Sequence, residues 1–88
     1  MPTEAIYVPA HKTVRFAIYP EGFEGPRILA EISEDALKNY FGASDSALEI
    51  VQSYRYNFAK IQAIALKKYA LSPSSFILIK EEDFNKSS

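Results

Sequence analysis

Residues 13–19, TVRFAIY, alternate cleanly between two faces. Val14, Phe16 and Ile18 point one way, and Thr13, Arg15, Ala17 and Tyr19 the other. A period of two over seven positions predicts a half-buried strand. Residues 20–26, PEGFEGP, carry two prolines and two glycines, which marks a turn. Alternation resumes at residues 27–32, with Ile28, Ala30 and Ile32 facing inward. A β-hairpin follows, with Ile18 opposite Ile28, Phe16 opposite Ala30 and Val14 opposite Ile32. That register sets Arg15 beside Glu31 on the outer face, an opposite-charge pair worth roughly 0.2–1 kcal/mol. A one-residue slip would turn the apolar set outward, so core burial selects the register.

The period then changes from two to about 3.6. Ser33 is a good N-cap, its hydroxyl placed to accept from the amide of Ala36, while Glu34 and Asp35 suit the positive helix start. Ala36, Leu37, Tyr40 and Phe41 recur at helical spacing, and Gly42 stops the helix in the left-handed conformation. A new start follows, with Ser44 or Asp45 as cap and Ser46 and Glu49 at capping-box spacing. The second helix is predicted over residues 46–70. Its main stripe is Ala47, Ile50, Val51, Tyr54, Phe58, Ile61, Ala65 and Tyr69, the face expected on the sheet. A second stripe, Leu48, Ala59, Ala63 and Leu66, lies about a third of a turn away. Only a narrow strip, with Glu49, Ser53, Lys60 and Lys67, is plainly polar, so this helix should have two neighbours: the sheet, and either the first helix or a second copy of the chain.

Residues 71–74, LSPS, break the helix. Residues 76–80, FILIK, predict a third strand, apolar on both faces and therefore expected in a well-covered, central place. Residues 81–84 suit one helical turn, and residues 85–88 a disordered tail. Residues 1–12 read as a lead-in. Within it Ile6, Tyr7 and Val8 suit a short edge strand or a cover over the sheet, with Pro9 limiting any strand. The predicted fold is α+β over residues 13–84. A small antiparallel sheet, the hairpin plus a C-terminal strand, packs against one short and one long helix in the order β-β-α-α-β.

The chain has 88 residues, room for one small domain, and its hydrophobic fraction of 48% is enough to fill a core. A net charge of -1 gives no electrostatic reason for an obligate nucleic-acid or membrane partner. Cysteine is absent, so neither a disulfide framework nor thiolate chemistry is available, as suits a reducing cytoplasm. The N-terminal MPTEAIYVPAHK lacks the pattern of a signal peptide, and no apolar run approaches the ~20 residues that cross a bilayer. A cytoplasmic setting is expected.

Candidate chemistry is sparse. His11, the single histidine, sits in a predicted loop and reads as a surface residue; with no cysteine to complete a soft metal site, a site of one histidine with carboxylates remains open in principle. The acid pairs Glu34–Asp35 and Glu81–Glu82–Asp83 fall at helix starts, where capping and the helix dipole account for them. No nucleophile elbow and no phosphate loop occur. No catalytic residue, cofactor or metal is therefore expected. Arg55, Tyr56, Lys60 and Lys67 make the latter half of the second helix basic and aromatic, a pattern that can stack on bases and hold phosphates. Basic residues late in a helix also complement its dipole. Ala17, Tyr19 and Leu29 make the outer sheet face less polar than free solvent exposure favours. The 6–8 segment or a partner would account for this.

The order of these motifs resembles the bacterial domain-of-unknown-function family fourteen-eighty-eight. The resemblance rests on Ile32-Ser33, Ala36-Leu37, Phe41-Gly42-Ala43, Ile61 with Ile64-Ala65, Lys68-Tyr69, the 76–79 strand and Asp83-Phe84, spanning residues 14–84. Phe58 departs from the pattern, standing where the family often has Arg. The resemblance implies the same α+β fold and a cytoplasmic setting; it implies no activity and no catalytic residue. The leading expectation is a non-enzymatic binding or regulatory module acting through protein contacts, with a homodimer as one form. Its surfaces would be Ala17, Tyr19 and Leu29 on the sheet and Leu48, Ala59, Ala63 and Leu66 on the helix. A nucleic-acid accessory protein using Arg55, Tyr56, Lys60 and Lys67 is the first alternative, and a small-molecule-binding domain or enzyme the second.

Overall fold

The computed structural model describes residues 4–85. These form β1 (Ala5–Val8), β2 (Thr13–Ile18), β3 (Ile28–Ser33), α1 (Glu34–Phe41), α2 (Ala47–Tyr56), α3 (Phe58–Leu71), β4 (Phe76–Ile79) and α4 (Glu81–Asn85). The expected α+β class holds. The β2–β3 hairpin has the expected register, with Val14 opposite Ile32, Arg15 opposite Glu31, Phe16 opposite Ala30 and Ile18 opposite Ile28.

The sheet itself differs from expectation. It has four strands in the order β1-β2-β3-β4, and β4 runs parallel to β3, so the sheet is mixed rather than antiparallel. A short turn forces the hairpin to be antiparallel, whereas the long helical connection from β3 to β4 permits a parallel return. β4 is also an edge strand, not a central one. Ile77 and Ile79 are buried on its inner side, while Phe76 is 44% exposed on its outer side. The 6–8 segment does not cover the outer face: it joins the sheet plane, with Ile6 opposite Arg15 and Val8 opposite Thr13. Residues 1–3 of the predicted lead-in and residues 86–88 of the predicted tail lie outside the described residues.

The core forms where the inner face meets the helices. Val14, Phe16, Ile18, Ala30, Ile32, Ile77 and Ile79 cluster with Ala36 and Leu37 of α1, Ile50 and Tyr54 of α2, Ile61 and Ala65 of α3, and Phe84 of α4. Burial of each large side chain is worth about 1.5–3 kcal/mol. Tyr54 is fully buried, its ring centroid 4.7 Å from that of Phe16. Burial pushes its phenol pKa up.

Helix ends follow local chemistry. The Ala36 amide donates to Ser33 Oγ at 3.1 Å, and Gly42 caps α1 at φ 74°. Ser46 precedes α2 without the expected side-chain cap bond. Asp45 instead meets Lys38 Nζ at 2.7 Å. The single long helix expected over 46–70 is two helices divided at Asn57, which has φ −115° and ψ 17°. Its side-chain amide donates to the Ser53 carbonyl at 2.8 Å, a local bond of the kind by which Asn competes with the helical backbone.

Candidate functional site

The outer face of the sheet is set by the strand registers. One row runs Ile6, Arg15, Glu31, Leu78, and beside it Ala17, Leu29 and Phe76 form another. Ile6 is 59% exposed and Leu29 39%. No element among the described residues shields them. At the centre of this otherwise open face Glu31 is only 1% exposed.

Four donor atoms from three neighbouring side chains enclose the Glu31 carboxylate. Thr13 Oγ1 donates to Oε1 at 2.6 Å. Arg15 donates to Oε2 through Nε at 3.0 Å and Nη2 at 2.8 Å. His11 Nδ1 lies 3.0 Å from Oε1. His11 reaches it because the β1–β2 turn folds back, with the His11 amide donating to the Val8 carbonyl at 3.2 Å and Lys12 at φ 54°. Burial by itself would raise the Glu31 pKa, but the hydrogen bonds from Thr13, Arg15 and His11 outweigh it and hold the carboxyl below its usual range. An ionised carboxylate only accepts, so His11 Nδ1 carries a proton; in the neutral ring Nε2 is then the acceptor. His11 is a surface residue, as expected, its side chain 53% exposed, and it also reaches the Glu31 carboxylate.

Beside this cluster opens a cleft of about 580 Å³, lined by His11, Thr13, Ser33, Asp35, Leu78, Lys80, Glu81 and Glu82. It lies where the parallel strands β3 and β4 both end and α1 and α4 begin. Its hydroxyls are already engaged, Thr13 with Glu31 and Ser33 as the α1 cap. Among the described residues no group of three or more acidic or histidine side chains could hold a metal ion. At the opposite end of the same sheet face, a groove of about 190 Å³ includes Ala17, Leu29, Tyr19, Arg15 and Arg27.

One member of each acid group, Glu34 and Asp83, has specific partners. Tyr7 Oη donates to Glu34 Oε1 and Lys38 Nζ to Glu34 Oε2, lowering the Glu34 pKa and, through the shared bond, raising that of Tyr7. Lys38, shared between Asp45 and Glu34, has its pKa raised. Asp83 Oδ2 accepts from the Lys80 amide at 2.8 Å and from Lys68 Nζ at 2.9 Å. Lys68 Nζ also donates to the Leu78 carbonyl at 2.7 Å, on the free edge of β4.

The sequence-predicted interface residues fall in two places. Ala17 and Leu29 sit together on the outer sheet face. Tyr19 lies just past β2, its ring 4.8 Å from Phe23, and lines the groove beside them. Leu48, Ala59, Ala63 and Leu66 are exposed, but Leu48 is on α2 and the other three are on α3. The basic-aromatic set is divided in the same way. Arg55 and Tyr56 close α2, with Tyr56 90% exposed, while Lys60 and Lys67 belong to α3. Lys60 Nζ stands 5.3 Å from the Tyr40 ring centroid, an aromatic contact of its own. Sequence reasoning missed Ile6, Phe76 and Leu78 as outer-face residues, since their side depends on pairings between distant segments. The placement of Arg15 beside Glu31 was the available sign of the central cluster.

Among the described residues, no helix is long and apolar enough to cross a membrane. Comparison with protein-family models, curated proteins and solved structures finds no match to this chain.

Proposed function

We propose that this protein is a non-enzymatic interaction module acting in the cytoplasm, and that the bare outer face of its sheet binds a protein partner. The observation that carries this reading is the exposure of Ile6, Leu29 and Phe76, at 59%, 39% and 44%, on one face of the sheet. Clustered apolar exposure of this kind is characteristic of interaction surfaces. The charge within the face is already answered, because Glu31 is held by Arg15, Thr13 and His11. A partner therefore need not supply a counter-charge for it. Strand addition at β4 has less support, because Lys68 occupies the Leu78 carbonyl on that edge.

The test is chemical crosslinking at native expression, with capture of the wild type, a sheet-face variant (Leu29→Glu with Phe76→Glu) and a helix-face variant (Leu48→Glu with Leu66→Glu). The crosslinked protein, whether self or other, should be lost with the sheet-face variant and kept with the helix-face variant. The reverse pattern would overturn the proposal. A small-molecule reading has one observation in its favour, the cleft beside His11. Nucleic-acid contact by Arg55, Tyr56, Lys60 and Lys67 has less support, because the Asn57 break divides that set.

A further inference from the structure

The sheet has two free edges, β1 and β4, and they are finished differently. On β4, Phe76 and Leu78 turn their main-chain groups the same way, as alternate residues of a strand do. Ser74 Oγ donates to the Phe76 carbonyl at 2.6 Å and accepts from the Phe76 amide at 3.4 Å. Lys68 Nζ donates to the Leu78 carbonyl at 2.7 Å. Polar side chains thus close that edge. The main chain of β1 has no such cover. Among the described residues, its bonding beyond the ladder to β2 is confined to the turn, where the Val8 carbonyl accepts from the His11 amide. Its sequence, AIYV, carries neither charge nor proline to blunt the edge. We propose that β1 pairs with an extended, uncharged segment of a partner protein, apolar at alternate positions, which adds a strand to the sheet. The inference rests on reading the outer face as the interaction surface and names the form of the partner that reaches it.

Main-chain chemistry selects the occupant. A row of peptide donors and acceptors is matched along its length by another backbone in extended form. Side chains set its character. Ile6 stands 59% exposed on the outer side of β1, so the residue beside it on the added strand must be apolar to bury it. A charge on the added strand finds no counter-charge in AIYV and gains nothing there. Size separates a linear segment from a folded copy. The β1 edge is about 13 Å long and, at a sheet thickness of about 10 Å, presents on the order of 130 Å². A standard interface between folded proteins takes ~800 Å² per partner. A second copy joined edge to edge would lengthen the sheet and leave both outer faces bare. A linear segment can continue past Ala5 and Ile6 into the adjoining groove of about 190 Å³, which Ala17 and Leu29 also line. It thereby covers part of the apolar face as well as the edge.

The test selects random dodecapeptides displayed on phage against the full chain, then adds the synthesised peptides at saturation to isotope-labelled protein. The selected sequences should be uncharged and apolar at alternate positions. Hydrogen exchange should slow at least about tenfold at amides within residues 5–8, with main-chain contacts from peptide to β1 in nuclear Overhauser spectra. Ile6→Glu should weaken binding about tenfold, with circular dichroism confirming that the variant folds. Failure to select any binder overturns this inference and leaves the outer-face reading to the crosslinking result. Peptides that perturb Leu29 and Phe76 but not residues 5–8 overturn it while keeping the outer face as the interaction surface. Peptides confined to the helix face at Leu48 and Leu66 count against both. A dimer in light scattering, with the 5–8 amides already protected in the free chain, makes a second copy the occupant of the edge and also overturns the inference.

Discussion

Replacing Glu31 with Gln keeps the shape of the side chain and removes its charge. Gln offers one acceptor oxygen and one donor amide to a pocket in which every neighbour donates: Thr13 at 2.6 Å, Arg15 at 2.8 and 3.0 Å, and His11 at 3.0 Å. At least one donor must therefore face another donor. Thr13 is 4% exposed and cannot recover the bond from water, a loss of about 1–3 kcal/mol. Arg15 loses a charge-assisted bond, but its side chain is 36% exposed and can turn toward solvent. The total should fall near 3 kcal/mol, at the low end of the 3–5 kcal/mol for breaking a fully buried pair. For a domain of this size that corresponds to a fall in Tm of about 12–24 °C. Urea unfolding followed by circular dichroism would measure it. The pH dependence gives a second, independent readout. Because the folded pKa of Glu31 is lowered, its contribution is present above the unfolded value near 4.5 and is lost as pH falls through the folded value. The gap between wild type and E31Q should hold from pH 7 to about pH 5 and close on further acidification. A gap below about 0.5 kcal/mol at pH 7, or one constant down to pH 3, would refute the account of Glu31 as a charge held by its neighbours.

Further predictions concern the helices and the sheet edge. Ser33→Ala removes the acceptor for the Ala36 amide and should cost about 1 kcal/mol in urea unfolding, with Ser33→Asp restoring most of it. Gly42→Ala meets no neighbour but must adopt φ 74°, so it should cost about 1–2 kcal/mol by the same assay. Lys68→Met removes the donor on the Leu78 carbonyl and frees the β4 edge; turbidity on prolonged incubation should rise relative to wild type. Tyr54→Ala, at a fully buried ring against Phe16, should cost about 3–5 kcal/mol and leave the chain largely unfolded in dilute urea.

Much of the candidate site was legible in pieces. The alternation of residues 13–19 and 27–32 already set Arg15 against Glu31 and put Ala17 with Leu29 on the outer side. That Glu31 is buried, and that His11 folds onto it, could not be read, because both depend on a turn whose left-handed Lys12 carries no glycine or asparagine signal. Phe76 and Leu78 looked like evidence for a central strand. Their apolar outer side instead belongs to an edge strand whose exposed face the monomer leaves open.

Local chemistry alone determined the hairpin register, the Ser33 cap, the Gly42 stop and the inner apolar face, because each depends on neighbours within a few residues or on a short turn. The tertiary structure decided the direction and place of β4, since a long helical connection can return a strand either way. It decided the pairing of β1, which needed the free edge of β2 as a template. It also decided the division of the long helix at Asn57, where packing of α2 and α3 on separate parts of one sheet prevails over a continuous apolar stripe. The outer face comes from those same decisions, as it assembles side chains from β1, β2, β3 and β4 that no local pattern connects.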